Sequence, residues 1–337
     1  MILQTHTSLK PYNTFGLDVN AHHFCQVSNL NEFKQAISES KEKQHLIIGG
    51  GSNIVLTKDY EGIVILNKIE GIQLVEETES YVKIKANSGE NWHQFVLYCI
   101  ENNWGGIENL SLIPGTIGAA PMQNIGAYGV EIVNVFDSLE ALNLETLELE
   151  TFLKLQCEFG YRESVFKRKL KGQYFIYSVT FILTKNHQLN IDYGDIQTTL
   201  QAHNVDPEKA TIQQVSNAVI EIRQSKLPNP AVLGNSGSFF KNPTISTAHF
   251  QQLKIDFPEI KGYEQPNGVK VPAGWLIEQC GWKGKRVGET GSHVKQALVL
   301  VNYGNATGNE VHALALDIIK SVKEKYGIIL EPEVNII

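Results

Sequence analysis

The sequence predicts a soluble chain of two or three domains built from both strands and helices, and three observations predict it. The chain has 337 residues, enough for more than one core at roughly 100–200 residues per domain. Apolar residues make up 42% and charged residues 19%, the balance of a globular protein. The period of the apolar pattern also changes along the chain, from strict alternation at 81–86 to helical spacing at 212–222.

The elements follow in order. Lys10-Pro-Tyr-Asn-Thr-Phe-Gly16 is a turn-rich entry. A first amphipathic helix is expected over about 31–40, with Leu30, Phe33 and Ile37 on one face. His45-Leu-Ile-Ile-Gly-Gly-Gly-Ser-Asn-Ile-Val-Leu56 reads as a buried strand breaking into a glycine loop, and 62–66 and 81–86 read as strands. A helix over 91–101 would bury Trp92, Phe95, Val96, Cys99 and Ile100. Residues 138–150 and 174–183 are expected as strands. Thr211-Ile-Gln-Gln214 has the form of a capping box, opening a helix that carries Arg223 and Lys226 on one side and stops at Pro228-Asn-Pro230. The main domain boundary is expected there. A short helix after Pro272, a strand at 297–301, a helix capped by Thr307 and Glu310, and a terminal strand over 328–337 complete the chain.

Composition excludes several functions. The net charge of −7 argues against a general nucleic-acid-binding surface, so an anionic ligand would need local positive partners. Cys25, Cys99, Cys157 and Cys280 are far apart with no CxxC pair, which indicates neither a disulfide framework nor a zinc site. The ten histidines show no metal-ligand spacing, and no metal is expected. The start, Met1-Ile-Leu-Gln-Thr-His, is not that of a signal peptide, and no stretch is long and apolar enough to span a bilayer. A cytoplasmic monomer with no membrane partner is the expectation.

Four stretches could carry chemistry. Gly49-Gly-Gly-Ser-Asn53 follows an apolar strand and could form a nest of backbone N–H groups for a phosphate. It is neither a P-loop, since no Gly-Lys-Ser/Thr follows, nor a Rossmann fingerprint, since Ile54 stands where the third glycine would be. Leu112 to Gly129 is rich in glycine and proline and poor in charge, a composition suited to backbone packed closely on a flat or phosphorylated ligand. Gly234-Asn-Ser-Gly-Ser-Phe-Phe-Lys-Asn-Pro243 puts Ser238 directly after Gly237, on a bend beside a phenylalanine pair; taken alone it fits an ordinary turn better than a site. Arg162, in Gly160-Tyr-Arg-Glu-Ser, could equally be a surface ion-pair partner. Glu331 and Glu333 lie two apart on the terminal strand, and spacing does not separate them.

Together these stretches resemble a known family. Arg162 in Tyr-Arg-Glu-Ser-Val-Phe-Lys, Ser238 in Gly-Ser-Phe-Phe-Lys-Asn-Pro and Glu333 in Glu-Pro-Glu-Val are similar to the catalytic trio of the UDP-N-acetylenolpyruvoylglucosamine reductases. Gly49, Gly50, Gly51, Ser52 and Asn53, with Pro114, Gly115, Thr116, Gly118, Ala119, Asn124, Gly126, Ala127 and Tyr128, resemble that family's FAD loops. The likeness runs from Asn13-Thr-Phe to the last strand in the family's order. Asp192-Tyr-Gly-Asp195 resembles the longer subtype, in which the tyrosine, here Tyr193, closes over the substrate. Lys226, Asn242, Lys283 and Gln296 match positions that contact the UDP-sugar; without the resemblance, each reads as an ordinary surface or turn residue.

The resemblance implies an α+β fold, with an FAD-binding domain of the p-cresol methylhydroxylase type and a C-terminal α+β substrate-binding domain. The division expected is 1–67 with 328–337, then 68–225, then 226–327. It also implies use of NADPH to reduce the enolpyruvyl ether of UDP-N-acetylglucosamine to UDP-N-acetylmuramate, in peptidoglycan synthesis. A planar, permanently charged guanidinium suits the enolpyruvyl carboxylate, which gives Arg162 its role, helped by Glu333. Ser238 would protonate the α-carbon as general acid. With no second nucleotide fingerprint, one pocket would serve NADPH and the sugar in turn.

The chain departs from the family at two places. Ala119 and Ala120 stand where some relatives carry serine, and Asn335 stands where relatives usually place arginine. An oxidase of the same flavin fold would preserve only the flavin loops, and a non-catalytic flavin or nucleotide module would lose the trio; the sequence retains both sets.

Overall fold

The computed structural model describes residues 1–40, 44–193 and 195–337, and the chain forms two compact units. The first comprises Met1–Thr7, Ala21–Gly50 and Glu61–Ser225, and the second Ser8–Asn20, Gly51–Tyr60 and Lys226–Ile337.

The first unit is organised on a five-stranded antiparallel sheet in the order Leu149–Leu153, Phe136–Asn143, Tyr174–Thr184, Tyr81–Asn87, Ile72–Glu77. Alternation along Tyr81–Asn87 buries Val82, Ile84 and Ala86 and turns Lys83 and Lys85 to the other face, where they pair with Asp137 and Glu140. The helix Trp92–Glu101 packs on the apolar face, with Phe95 against Phe181 at 5.2 Å between ring centroids. Asn91 caps it by accepting from the Gln94 amide.

A second sheet, in the order Gln4–Ser8, Asn20–Val27, Tyr60–Asn67, His45–Ile48, has its last two strands parallel. The helix Leu30–Glu39 closes it through Phe33, Ala36 and Ile37. Phe33 stacks on Phe175 of the long central strand at 3.8 Å, which joins the cores of the two sheets. The helix Ile212–Lys226 opens with the expected reciprocal pair: the Thr211 amide donates to Gln214 Oε1 and the Gln214 amide to Thr211 Oγ1. Its Val215, Val219 and Ile222 form a small core with Ile196 and Leu200.

In the second unit, four strands in the order Gly234–Ser238, Val299–Asn302, Thr290–Ser292, Arg286–Val287 share a core with the helix Gly308–Tyr326. That helix has the Thr307/Glu310 capping box and ends at Gly327, whose φ of +66° is left-handed.

Three differences from the sequence reading have physical causes. Residues 138–150 are not one strand: Asn143 Oδ1 accepts from the Glu145 and Thr146 amides and turns the chain, so two strands pair as a hairpin. The terminal stretch is strand only at Asn335–Ile336, parallel to Ile54–Val55, with an isolated antiparallel bridge at Pro332, which has no N–H to extend that bridge into a ladder. The helix Thr247–Asp256, capped by Ser246, and the small sheet of Thr244–Ile245, Gly268–Lys270 and Tyr263–Gln265 went unread.

Among the described residues no helix is long and apolar enough to cross a membrane, and no group of three His, Cys, Asp or Glu is placed to hold a metal. All four cysteines are free thiols, and burial pushes Cys25 up to about 11 and Cys157 up to about 12.

Candidate functional site

In the first unit the two glycine runs face each other. Gly49 and Gly50 end the strand His45–Ile48, and a Cβ on Gly50 would stand 3.3 Å from the Gly115 Cα. One on Gly49 would overlap the Thr116 side chain. A side chain at Gly49 would displace that of Thr116, and one at Gly50 would press on the Gly115 backbone, so the two runs approach closely through glycine. The second run is fixed from behind: the Trp92 amide donates to the Gly115 carbonyl at 3.1 Å, Ile117 to Glu90 at 2.9 Å and Gly118 to Ser88 at 3.0 Å. Pro114 and Ala119 are exposed, while Thr116 and Ala120 are buried.

Further on, Asn124, Tyr128 and Gly129 all have left-handed φ, of +44°, +48° and +80°. The Asn124 amide group donates to Glu131 and to the Gly160 carbonyl and accepts from the Val133 amide, so it holds the turn that presents Gly126 and Ala127, themselves paired with Val130–Glu131.

Arg162 sits on this turn. Its own φ is +55°, an uncommon state for a residue other than Gly, Asn or Asp. Its Nη2 donates to the Gly126 carbonyl at 2.6 Å. A second guanidinium, Arg223, lies in the same electrostatic neighbourhood, and its Nε is buried with no hydrogen-bond partner among the described residues. Burial first and then Arg162 lower the basicity of Arg223. His93 is held below its ordinary value by burial and then by Arg223, and its Nδ1 accepts from the Leu112 amide at 3.0 Å. Close-packed glycine backbone beside two guanidiniums fits a large anionic ligand such as a dinucleotide.

Gly51, Ser52 and Asn53 belong to the second unit. Gly51 has φ +58°, and a Cβ there would overlap the Tyr12 carbonyl. Asn53 Nδ2 donates to the Glu333 carbonyl at 3.3 Å, and the Asn335 amide donates to the Asn53 carbonyl at 3.0 Å.

Ser238 is exposed on the bend the sequence indicated, after Gly237 at φ +71°. The next two residues, Phe239 and Phe240, are fully buried and anchor the bend. The Glu333 amide donates to the Phe239 carbonyl at 2.8 Å, and Lys241 to Glu331 at 3.0 Å, which lays the two catalytic candidates on neighbouring segments. Burial separates the two glutamates: Glu331 is exposed and faces Lys241 at 3.7 Å, whereas Glu333 is half-buried.

Of the other candidates, Asn242 and Gln296 both meet the start of the helix Ala273–Gln279. Asn242 Oδ1 accepts from the Ala273 amide at 2.9 Å, and Gln296 Oε1 lies 3.1 Å from where a Gly274 Cβ would be. Lys283 is exposed beyond that helix and pairs with Glu278 at 2.8 Å. Lys226 ends the helix Ile212–Lys226. In the first unit, Tyr193 is exposed, with its ring edge-on to Tyr128 at 6.3 Å; its neighbour Gly194 lies outside the described residues. Sequence reasoning gave Arg223 no role beyond sharing a helix side with Lys226, and missed Asn109, a buried amide with no local pattern to mark it.

Comparisons with known proteins agree with one another. Residues 21–148 match the model of an FAD binding domain, and residues 229–337 match that of the UDP-N-acetylenolpyruvoylglucosamine reductase C-terminal domain. The chain is 51% identical to the UDP-N-acetylenolpyruvoylglucosamine reductase of Flavobacterium johnsoniae, with all of both chains covered. It is 49% identical to that of Amoebophilus asiaticus, again over the whole of both. The crystal structure of the UDP-N-acetylenolpyruvylglucosamine reductase from Thermus caldophilus shares the fold, with a TM-score of 0.66 at 21% identity over 99% of each chain. The chain is therefore an α+β protein with an FAD-binding domain, and it belongs to the UDP-N-acetylenolpyruvoylglucosamine reductase family.

Proposed function

We propose that the chain is a flavoenzyme of the longer subtype that uses NADPH to reduce UDP-N-acetylenolpyruvoylglucosamine to UDP-N-acetylmuramate, in cytoplasmic peptidoglycan synthesis, as a monomer. The observation that carries the reading is the placement of Arg162, whose guanidinium is held on the Gly126 carbonyl of the second glycine run. A fixed, planar cation at a backbone cradle is what an enolpyruvyl carboxylate beside a flavin requires.

Gly49 to Asn53 and the residues from Pro114 to Tyr128 would hold FAD, which when bound would carry hydride from NADPH to the substrate. Adding hydride at the β-carbon pushes charge onto a group that is already anionic. Arg162 balances that charge as it develops, and Glu333 helps to orient the carboxyl group. Ser238 then gives its proton to the α-carbon, so one hydride and one proton are added across the double bond. The exposure of Ser238 on its bend, on a segment that pairs with that of Glu333, supports this assignment. Tyr193, Lys226, Asn242, Lys283 and Gln296 hold the UDP-sugar, and Tyr193 closes over it. NADPH and the sugar occupy one pocket in turn, giving ping-pong kinetics.

The division that goes with this reading is 1–67 together with 328–337, then 68–225, then 226–327; Asn335–Ile336 pairs parallel with Ile54–Val55, a segment of 1–67 that shares the second unit with the C-terminal residues.

The test is an anaerobic visible spectrum. Flavin colour should bleach with NADPH and recover stoichiometrically on adding the enolpyruvyl sugar. Ser238→Ala should bleach and fail to recover. Bleaching of the unsubstituted enzyme without recovery would move the substrate elsewhere, and absence of bound flavin after adding FAD would sink the reading.

A further inference from the structure

Asn109 is fully buried, and its side-chain amide joins two loops far apart in sequence. Nδ2 donates to the Tyr128 carbonyl at 2.9 Å and to the Asn190 carbonyl at 2.7 Å. Two carbonyl partners at these distances fix which end of the amide faces them. Its Oδ1 is buried with no partner among the described residues. An unsatisfied acceptor makes this a poor residue for stability alone, so the position is valued for its two donors.

The link is doubled. Asn190 Nδ2 returns to the Gly129 carbonyl at 3.2 Å, and a Cβ on Gly129 would stand 3.0 Å from that same amide. Tyr128 is held at a left-handed φ of +48° at the point where Asn109 grips it. Leu189 and Ile191, which flank Asn190, pack with Tyr128 on the core of Ile196, Leu200 and Val219. The result is that the ring of exposed Tyr193 stands edge-on to Tyr128 at 6.3 Å.

We propose that Asn109 is a positioning residue that ties the loop carrying Tyr193 to the Tyr128 turn, and so sets the enzyme's affinity for its sugar substrate without entering the chemistry. This rests on the proposed role of Tyr193. Removing the tie leaves the flavin turn and the hydride half-reaction in place, because Asn124 and the pairing of Gly126–Ala127 with Val130–Glu131 hold that turn independently. The loop loses its reference point, and Tyr193 closes on substrate from a broader set of positions.

The experiment compares Asn109→Leu and Asn190→Ala with the unsubstituted holoenzyme, each with and without Tyr193→Ala. Expected for both variants is a KM for the enolpyruvyl sugar raised about tenfold, with the rate of flavin bleaching by NADPH unchanged. In the Tyr193→Ala background neither should raise KM further. Amide hydrogen exchange over 190–193 should quicken in both variants, a readout that needs no substrate and so separates failure of the tether from failure of the functional reading. A KM increase that persists in the Tyr193→Ala background, an equal loss in the NADPH half-reaction, or unchanged exchange overturns the proposal. Should Asn109→Leu not fold, Asn190→Ala, on a half-buried loop, decides by the same criteria.

Discussion

The guanidinium of Arg162 donates to the carbonyl of Gly126 across 36 residues of chain, at 2.6 Å. One nitrogen is thereby held on the backbone of the glycine run, which restricts how the planar fork can turn. Lysine has no fork to fix. Arg162→Lys should retain FAD and the bleaching rate with NADPH but reoxidise with the enolpyruvyl sugar about 100-fold more slowly or worse, as measured by stopped-flow absorbance.

Two glycines of left-handed φ make a controlled comparison. Gly51→Ala would place a methyl group on the Tyr12 carbonyl at φ +58°, whereas Gly237→Ala at φ +71° has no atom within 4 Å. The second should cost only the conformational penalty, about 1 kcal/mol. The first adds a backbone displacement and should cost at least about 3 kcal/mol. Urea unfolding followed by circular dichroism gives both values, and equal losses would contradict the close approach.

Phe240 is 1% exposed and tilted against Phe239 at 5.1 Å. Truncation to alanine should cost about 3–5 kcal/mol. Because the same bend carries Ser238, Phe240→Ala should also slow the sugar half-reaction while sparing NADPH-driven bleaching. An unchanged unfolding midpoint would show that the anchor is not where the packing places it.

Burial lowers the affinity of His45, His93 and His293 for protons, with Arg223 adding to the effect at His93 and Lys295 at His293. The folded state therefore favours neutral imidazole, and the unfolded state takes up protons first as pH falls. Stability should be flat from pH 8 to 7 and fall below about pH 6.5, the ordinary histidine value. His93→Gln should shallow that slope while keeping a side-chain acceptor for the Leu112 amide. A midpoint that rises on acidification would reverse the sign and reject the account.

The legible parts of the structure were those written in local chemistry. Thr307 with Glu310, Thr211 with Gln214, and Gly327 mark helix ends through contacts within one turn. The glycine runs are legible for the same reason, since glycine is what lets Gly50 approach the Gly115 backbone so closely. The hairpin at Asn143 escaped because leucine and glutamate keep alternating through its turn. Spacing did not tell Glu331 from Glu333 and only the family resemblance chose the second; in the structure Lys241 faces the first, and the second pairs beside the Phe239 segment. Arg223 and Asn109 draw their meaning from residues on other elements, Arg162 and Asn190 among them, and no short window of sequence holds that information.

The parallel pair Asn335–Ile336 with Ile54–Val55, reinforced where Thr57 donates to the Ile337 carbonyl from both amide and hydroxyl, has a consequence for biosynthesis. The short segments Ser8–Asn20 and Gly51–Tyr60 belong to a unit whose remaining residues start at Lys226. During translation these early segments wait, with apolar Phe15, Leu17 and Val55 unburied, while the intervening unit is made and can close on itself. The interval is on the order of ten seconds or more at ribosomal speed, so the emerging chain carries a chaperone-accessible, aggregation-prone apolar segment near its front until almost all of it has been synthesised.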